Sequence, residues 1–218
     1  VARETLENST ALAVKTISHS KDSGLAEQHA QKLAKEQGKI YVSPYNDPQI
    51  IAGQGTLAIE LLDQLPRLDV VYVSIGGGGL ISGIGCVLKA FSPRTRLVGV
   101  SAKNSAELAA SIRAGKMVKV DHLETLADGC AGGVDNDTIT LGLGSEVIDD
   151  LIDCSEGQIE VGLQQIAWNE KMLVEGSAGL AYAAWQEDAS NNKNKISAVV
   201  LCGANFDKET LSPIFNRE

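Results

Sequence analysis

The fold is decided by the stretch Val70-Val71-Tyr72-Val73-Ser74-Ile75-Gly76-Gly77-Gly78-Gly79-Leu80, in which an apolar run meets four consecutive glycines. A nearly continuous apolar run such as 70–75 is typical of a strand that is covered on both faces, and therefore of a parallel sheet. Beyond the glycines, apolar residues recur at helical intervals at Leu80, Ile84 and Leu88. The stretch thus predicts a buried strand, a glycine loop and a helix, which is the repeating unit of an open α/β sheet.

The glycine loop has the composition of an anion cradle. Four glycines remove every Cβ and permit positive φ, so that successive N–H groups can converge on one point. The helix that begins near Leu80 adds unpaired N–H groups and the positive end of its dipole. No lysine follows the glycines, which excludes a nucleoside-triphosphate loop, and the pattern G-x-G-x-x-G fails because Ile81 stands sixth from Gly76. We predict a site for a phosphate monoester; the alternative is a turn that serves only close helix–strand packing.

The same alternation of strand and helix patterns runs along the rest of the chain. Further strands are predicted at 40–42, 97–100, 151–154 and 196–201. Helices are predicted at 23–37, 50–65, 80–91, 107–114, 155 to about 173, and 177–187, with an irregular, glycine-rich stretch at 121–143. The fold class is therefore α/β, a doubly wound and mostly parallel sheet. Ligands of such sheets bind beyond the carboxyl ends of the strands, which directs attention to the residues after Ile75 and after Leu201.

Composition excludes several classes of protein. The 218 residues are 44% hydrophobic and 22% charged, which is typical of a globular chain and not of a disordered one. A net charge of -9 argues against a nucleic-acid partner. No apolar run approaches the roughly 20 residues of a membrane span, and no signal peptide is visible, so we predict a cytoplasmic protein. The four cysteines and three histidines are scattered, which gives a disulfide framework or a His/Cys metal site little support.

Five motifs, in this order, resemble the fold-type II pyridoxal-phosphate enzymes, whose fold is like that of the tryptophan synthase β subunit. Within that family the chain is similar to the branch of serine/threonine dehydratases and serine racemase. The resemblance extends over 40–207 and is carried by Ser43-Pro44-Tyr45-Asn46-Asp47-Pro48 with Ile51-Ala52-Gly53-Gln54-Gly55-Thr56, by Gly76-Gly77-Gly78-Gly79-Leu80, by Leu126-Ala127-Asp128-Gly129, by Glu175-Gly176-Ser177-Ala178-Gly179 and by Leu201-Cys202-Gly203-Ala204-Asn205.

The resemblance implies a role for several residues of this chain. Gly76 to Gly79 and the N–H of Leu80 would bind the phosphate of pyridoxal 5'-phosphate. Cys202 would face the pyridine nitrogen, Glu175 would lie near the ring, and Tyr45 would sit near the cofactor. Two of these residues have a structural alternative: Cys202 as a core cysteine, and Glu175 as an acid favoured by the dipole of its helix.

The sequence also departs from the family pattern. The Ser-x-Lys-x-Arg-Gly motif, whose lysine forms the Schiff base with the cofactor, does not occur in these 218 residues, and the first residue is Val1 rather than Met. We therefore expect 1–42 to be a remnant of the small α/β domain and 43–218 to be the large cofactor-binding domain. We also expect the chain alone to be inactive, and either a homo-oligomer or a complementing N-terminal segment to complete it.

Metal binding is a second departure. Some relatives bind a divalent cation through a glutamate, a carbonyl and an aspartate, at positions where this sequence has Ser101, Ser105 and Glu107. One carboxylate is lost, so no metal is predicted. The implied function is a pyridoxal-phosphate-dependent ammonia-lyase that converts a small hydroxy amino acid such as serine or threonine to an α-keto acid and ammonia. The alternatives are a non-catalytic homologue that binds a phosphate-bearing ligand or a partner chain, and a serine racemase in the full-length form.

Overall fold

The computed structural model describes Leu12 and residues 15–20 and 23–215, and these form an α/β architecture around a parallel sheet. The strands are β1 Val70–Ser74, β2 Arg96–Ala102, β3 Asp150–Cys154 and β4 Ser197–Val199. The α-helices of this part of the chain are α1 Ser23–Glu36, α2 Pro48–Gln64, α3 Gly79–Phe91, α4 Glu107–Ala114, α5 Ile139–Val147, α6 Glu156–Gln165, α7 Gly176–Glu187 and α8 Lys208–Phe215. Shorter helical turns lie at Asp128–Cys130, Ile166–Glu170 and Ala189–Asn192.

The strand order is β3-β2-β1-β4, and every neighbouring pair is parallel. Helical segments connect the strands, as parallel pairing requires, since a tight hairpin cannot join parallel strands. β1 lies inside the sheet, with Val70 opposite Arg96 on one side and Ser197 on the other. The predicted doubly wound parallel sheet is therefore confirmed.

Both faces of β1 are covered, which explains its continuous apolar sequence. Val70 and Tyr72 belong to a core cluster that includes buried residues of α6, α7 and α8. Val71 and Val73 belong to a second cluster, on the opposite face, with residues of α2, α3 and α5. Successive side chains of a strand point to opposite faces, so one strand supplies both cores. Each fully buried valine contributes about 1.5–3 kcal/mol relative to its exposed state.

A polar network ties the face of the sheet that carries Tyr72 to the end of α7. The hydroxyl of Tyr72 donates to Oδ2 of Asp188 at 2.6 Å, and Arg96 donates to the same carboxylate from Nη1 at 2.6 Å. Arg96 also donates from Nε to Asp150 at 2.5 Å. The side chain of Asp188 is 7% exposed, and Tyr72 is fully buried. The network satisfies polar groups that would otherwise be buried without partners.

Three sequence predictions need correction. The predicted strand Ile40–Val42 is not a strand: Ile40 is 90% exposed, and this segment pairs with no strand among the residues that the structure describes. The helix predicted from Ser155 to about Leu173 ends at Gln165, and a π-helical turn follows it. The stretch predicted as irregular, 121–143, includes the first residues of α5, which Thr138 caps by accepting from the N–H of Thr140. A sequence pattern typical of a strand or a helix does not show whether a neighbouring element is available to pair or pack with it.

The predicted division at residue 42 stays a prediction. Much of the segment assigned to the small domain, namely residues 1–11, 13–14 and 21–22, lies outside the described residues. Within the described part, α1 contacts the large domain through Ser23, whose hydroxyl donates to the carbonyl of Ala131 at 3.1 Å. None of the helices described here has the length and apolar content that a membrane crossing demands.

Candidate functional site

The two chain segments singled out from the sequence lie side by side at one edge of the sheet. β1 and β4 are parallel neighbours, so the loop after Ile75 and the loop after Leu201 leave the sheet at the same edge. Cys202 packs against the core cluster that contains Ile75 and Ile81. The structure therefore brings the glycine loop and Cys202 together, as the ligand rule for open α/β sheets predicts.

The backbone N–H groups of the glycine loop are free of ladder and helix bonds. The last N–H of the strand, that of Ile75, donates to the carbonyl of Val100 at 2.7 Å, and the first helical bond runs from Ser82 to Gly78 at 3.0 Å. Between them, the N–H groups of residues 76–81 have no backbone acceptor in the part of the chain that the structure describes. Gly78 has φ of 84°, a left-handed conformation that favours glycine. Such a run at a helix N-terminus is suited to an anion.

A threonine that the sequence interpretation missed fixes one peptide of this loop. Oγ1 of Thr140 donates to the carbonyl of Gly77 at 2.7 Å, and the hydroxyl of Thr138 lies 2.7 Å from that of Thr140. In a trans peptide the N–H points opposite to the carbonyl, so this bond also fixes the direction of the Gly78 N–H. Thr140 is remote in sequence, and no local pattern indicates its contact.

Tyr45 explains why two of the glycines cannot carry a side chain. A Cβ at Gly77 would lie 2.3 Å from Cγ of Tyr45, and a Cβ at Gly79 would lie 2.9 Å from the Tyr45 Cα. The phenol oxygen of Tyr45 accepts from the N–H of Asp135 at 2.9 Å, and burial raises the pKa of this phenol well above its usual range. Tyr45 is thus a packed support for the loop. Its direct contact with a cofactor stays a prediction.

Cys130 closes another side of the loop. A Cβ at Gly76 would lie 3.0 Å from the Cα of Cys130, which ends the helical turn Asp128–Cys130. Burial raises the pKa of the Cys130 thiol to about 12. The sequence interpretation noted the Asp128-Gly129 motif but not the cysteine that follows it.

Glu175 joins the loops on either side of it. As the N-cap residue of α7, it donates its N–H to the carbonyl of Gly203 at 3.2 Å, and its Oε2 accepts from the N–H of Asn205 at 2.9 Å. A Cβ at Gly129 would lie 3.0 Å from Oε1 of Glu175. The carboxylate therefore lies between the Gly129 turn and the loop that carries Cys202. Its place near a cofactor ring stays a prediction.

The thiol of Cys202 is uncharged at neutral pH. Burial, and then the negative charge of Glu175, raise the pKa of this thiol above its ordinary value of 9.0. A small cavity of about 70 Å³ is lined in part by Glu175, Asp128 and Asn205. A larger one of about 480 Å³ lies at the opposite end of β4, near Trp185. The larger cavity is remote from the glycine loop, so size alone does not identify the site.

Comparisons with known proteins agree with this geometry. The sequence profile of the family described as "Pyridoxal-phosphate dependent enzyme" matches residues 2–203. The L-threonine ammonia-lyase of Thermotoga maritima is 33% identical over 192 residues, which are 88% of this chain and 47% of that protein. The catabolic L-threonine dehydratase TdcB of Escherichia coli is 34% identical over 185 residues, 84% of this chain and 56% of that protein. The chain thus spans about half the length of these curated relatives.

Solved structures give the same result. The processed form of threonine deaminase isoform 2 from Solanum lycopersicum superposes with a TM-score of 0.87 at 27% identity, covering 97% of this chain and 62% of that one. Maize serine racemase superposes with a TM-score of 0.85 at 28% identity, covering 96% of this chain and 64% of that one. The family match over residues 2–203 and the parallel sheet shared with these structures identify the family of this chain. This chain belongs to the fold-type II pyridoxal-phosphate-dependent enzymes, in their serine/threonine dehydratase branch.

Proposed function

We propose that this chain supplies the cofactor-phosphate site and the ring-nitrogen partner of an ammonia-lyase that acts on serine or threonine. The reaction would eliminate water and release an α-keto acid and ammonia. One observation carries the proposal. The N–H groups of residues 76–81, which have no backbone acceptor among the described residues, lie at the carboxyl end of an interior strand, next to the loop that carries Cys202. The names of two relatives, an L-threonine ammonia-lyase and an L-threonine dehydratase, support the choice of substrate class.

The residues present fit pyridoxal 5'-phosphate. The N–H groups of residues 76–80 would donate hydrogen bonds to the phosphate at the start of α3, where the dipole favours a dianion. When bound, the pyridoxal group withdraws electrons from the α-carbon of the amino acid. Glu175 would hold the Gly203 loop, and with it Cys202, in place beside the ring.

The neutral thiol of Cys202 favours elimination. A carboxylate at this position would hold a proton on the pyridine nitrogen and strengthen electron withdrawal, whereas an uncharged thiol does not. The weaker withdrawal suits the loss of a β-hydroxyl more than chemistry that requires a long-lived carbanion. The raised pKa of Cys202 keeps the thiol in this uncharged form.

The chain by itself lacks the nucleophile of this reaction. No lysine of the 218 residues stands in the Ser-x-Lys-x-Arg-Gly context. Because the lysine must both bind the cofactor and move the α-proton, no other side chain replaces it. We propose that a lysine-bearing segment must join this chain before it turns over substrate.

The first prediction concerns this requirement. The 218-residue chain with added pyridoxal 5'-phosphate and L-threonine or L-serine is expected to form no α-keto acid. Addition or fusion of the lysine-bearing front segment of the E. coli relative TdcB is expected to restore formation of the α-keto acid. The measurement is a coupled α-keto acid assay, with borohydride reduction and mass spectrometry to locate the covalent lysine adduct. The control is the same front segment with its lysine changed to alanine.

Each outcome of that assay has a defined meaning. Robust turnover by the 218-residue chain alone would contradict the requirement for a second segment. A complemented enzyme that binds the cofactor and interconverts the enantiomers of serine, without elimination, would replace the lyase proposal with a racemase, as the likeness to maize serine racemase suggests. A complemented chain that binds the cofactor without either reaction would indicate a non-catalytic binding protein.

The second prediction concerns the thiols. Cys86 is exposed, whereas burial raises the pKa of both Cys130 and Cys202, so at pH 8 iodoacetamide is expected to alkylate Cys86 first and the other two much more slowly. Pyridoxal 5'-phosphate should slow alkylation of Cys202 further and leave the rate at Cys86 unchanged. Peptide mass spectrometry over time measures both effects. Equal slowing at both cysteines, or none at Cys202, would place the cofactor elsewhere.

A further inference from the structure

A buried carboxylate at the start of α4 is the centre of a polar cluster that the candidate site does not use. The side chain of Glu107 is 1% exposed. Its Oε1 accepts from Nζ of Lys119 at 2.9 Å and from the N–H of Val134 at 3.0 Å, and its Oε2 lies 3.0 Å from Nε2 of His122. Both oxygens of the carboxylate are therefore already bonded to donors. Burial alone would raise the pKa of Glu107, but these bonds outweigh burial and lower it.

The bonds around the imidazole define its role. Nδ1 of His122 lies 2.8 Å from the hydroxyl of Ser105, and that hydroxyl oxygen accepts from the N–H of Gly132 at 3.0 Å. All of these bonds are satisfied when the imidazole carries one proton, on Nε2, and Ser105 donates to Nδ1. In that arrangement the ammonium of Lys119 is the positive charge that balances Glu107.

The ammonium of Lys119 is held by oxygen atoms. Besides Oε1 of Glu107, it donates to the carbonyl of Val134 at 3.3 Å. A carboxylate and a backbone carbonyl are the ligand types that hard divalent cations use. A lysine ammonium is a compact point charge that can take the same kind of place.

The three positions suggested by the family do not fit a divalent cation. Both carboxylate oxygens of Glu107 are bonded to nitrogen donors, one of them Lys119, and Ser101 offers one buried, uncharged hydroxyl in place of a carboxylate. A hard cation requires several charged or carbonyl oxygens with free lone pairs. Glu107 and Ser105 instead form a hydrogen-bonded cluster with Lys119 and His122.

We propose that the ammonium of Lys119 is the resident cation of this cluster and takes the place of a bound divalent metal ion. It fastens the segment 119–135 to the start of α4. That segment carries the turn Asp128–Cys130, which packs against Gly76, so the ion pair supports one side of the glycine loop. The inference does not depend on which amino acid the enzyme uses.

The test is to remove the ammonium and to ask whether a metal ion replaces it. In the wild-type chain, the melting temperature is expected to be the same, within about 1 °C, in EDTA and in millimolar Mg²⁺ or Mn²⁺. Lys119→Met should melt at a lower temperature in EDTA and recover by about 3 °C or more in Mn²⁺, because the vacated oxygens accept the ion. Calorimetric titration should detect Mn²⁺ binding to this variant alone. The chain is tested at its full 218 residues.

Matched variants show whether the effect of Lys119→Met comes from the lost charge or from a general loss of stability. Lys119→Arg keeps a cation near Glu107 and should remain indifferent to Mn²⁺. Lys116→Met removes a nearby exposed lysine that lies outside the cluster and should behave as the wild type. The proposal is overturned if the wild-type chain itself binds Mn²⁺, or if Lys119→Met is destabilised and shows no recovery with either metal ion.

Discussion

Gly77→Ala is expected to weaken the binding of pyridoxal 5'-phosphate by about 100-fold or more, which corresponds to about 2.7 kcal/mol. The added Cβ would lie 2.3 Å from Cγ of Tyr45, so either the aromatic ring or the loop must move. The ring is held by the bond between its hydroxyl and the N–H of Asp135, so much of the movement falls on the loop. Displacing the N–H groups by about 1 Å spoils several charge-assisted bonds at once. Equilibrium dialysis or fluorescence titration measures the change.

Two controls show whether the loss of affinity comes from the contacts to the cofactor phosphate. Gly53→Ala adds the same methyl group on α2, where no heavy atom lies within 4 Å, and should bind the cofactor as the wild type does. Pyridoxal without its phosphate should bind weakly to the wild-type chain and equally weakly to Gly77→Ala. A folded Gly77→Ala protein that keeps its affinity for pyridoxal 5'-phosphate would show that the glycine loop is a packing device rather than an anion site.

Asp188→Ala is expected to have the largest effect on stability, a loss of about 3–5 kcal/mol in the free energy of unfolding. The substitution removes the nearer acceptor of the buried Tyr72 hydroxyl, which keeps only Oδ1 of Asn192 at 3.0 Å, and one of the two carboxylates that contact Arg96. Asp188→Asn keeps the shape and one acceptor, so its loss should be smaller. Urea denaturation measures these differences, and Asp63→Asn, at an exposed position of α2, is the matched control. A loss below about 1 kcal/mol for Asp188→Ala would contradict the role of this network.

The same carboxylate gives a pH dependence with a defined sign. Burial alone would raise the pKa of Asp188, but hydrogen bonds from Tyr72, Arg96 and Asn191 hold it below the ordinary value of 3.8. A lowered pKa means that the ionised group stabilises the fold above pH 3.8 and that this contribution is lost as the pH falls further. The difference between the wild type and Asp188→Asn should therefore be full at pH 7 and shrink below about pH 3.8. A difference that stays constant down to pH 2 would argue against the ion pair.

The sequence alone predicts the elements whose signals are local. The apolar run of β1 and the four glycines after it define the strand, the loop and the start of α3. Gly115 directly follows the last residue of α4 and has φ of 67°, a left-handed conformation that favours glycine, so the glycine in the sequence marks where this helix ends. Since parallel strands share their carboxyl edge, the positions of Gly76 and Cys202 follow from the strand assignments.

Long-range contacts are the part that the sequence does not show. The run Ile40–Val42 has strand composition, yet pairing also requires a neighbouring strand. The sequence of α8 shows no clear helical pattern, because Pro213 lies inside the helix. What stabilises α8 is the packing of Leu211 and Ile214 in the core beside α6. Likewise, the bond from Thr140 to the glycine loop joins residues that are distant in the chain, so no local spacing indicates it.

The strand order makes the two ends of the candidate site unequal in rigidity. The glycine loop continues an interior strand with partners on both sides, whereas Cys202 follows β4, a strand of three residues at the outer edge of the sheet as described. Opening fluctuations are least costly where few backbone bonds must break. A ligand anchored by its anion would therefore loosen first at the thiol and depart by pivoting about the glycines.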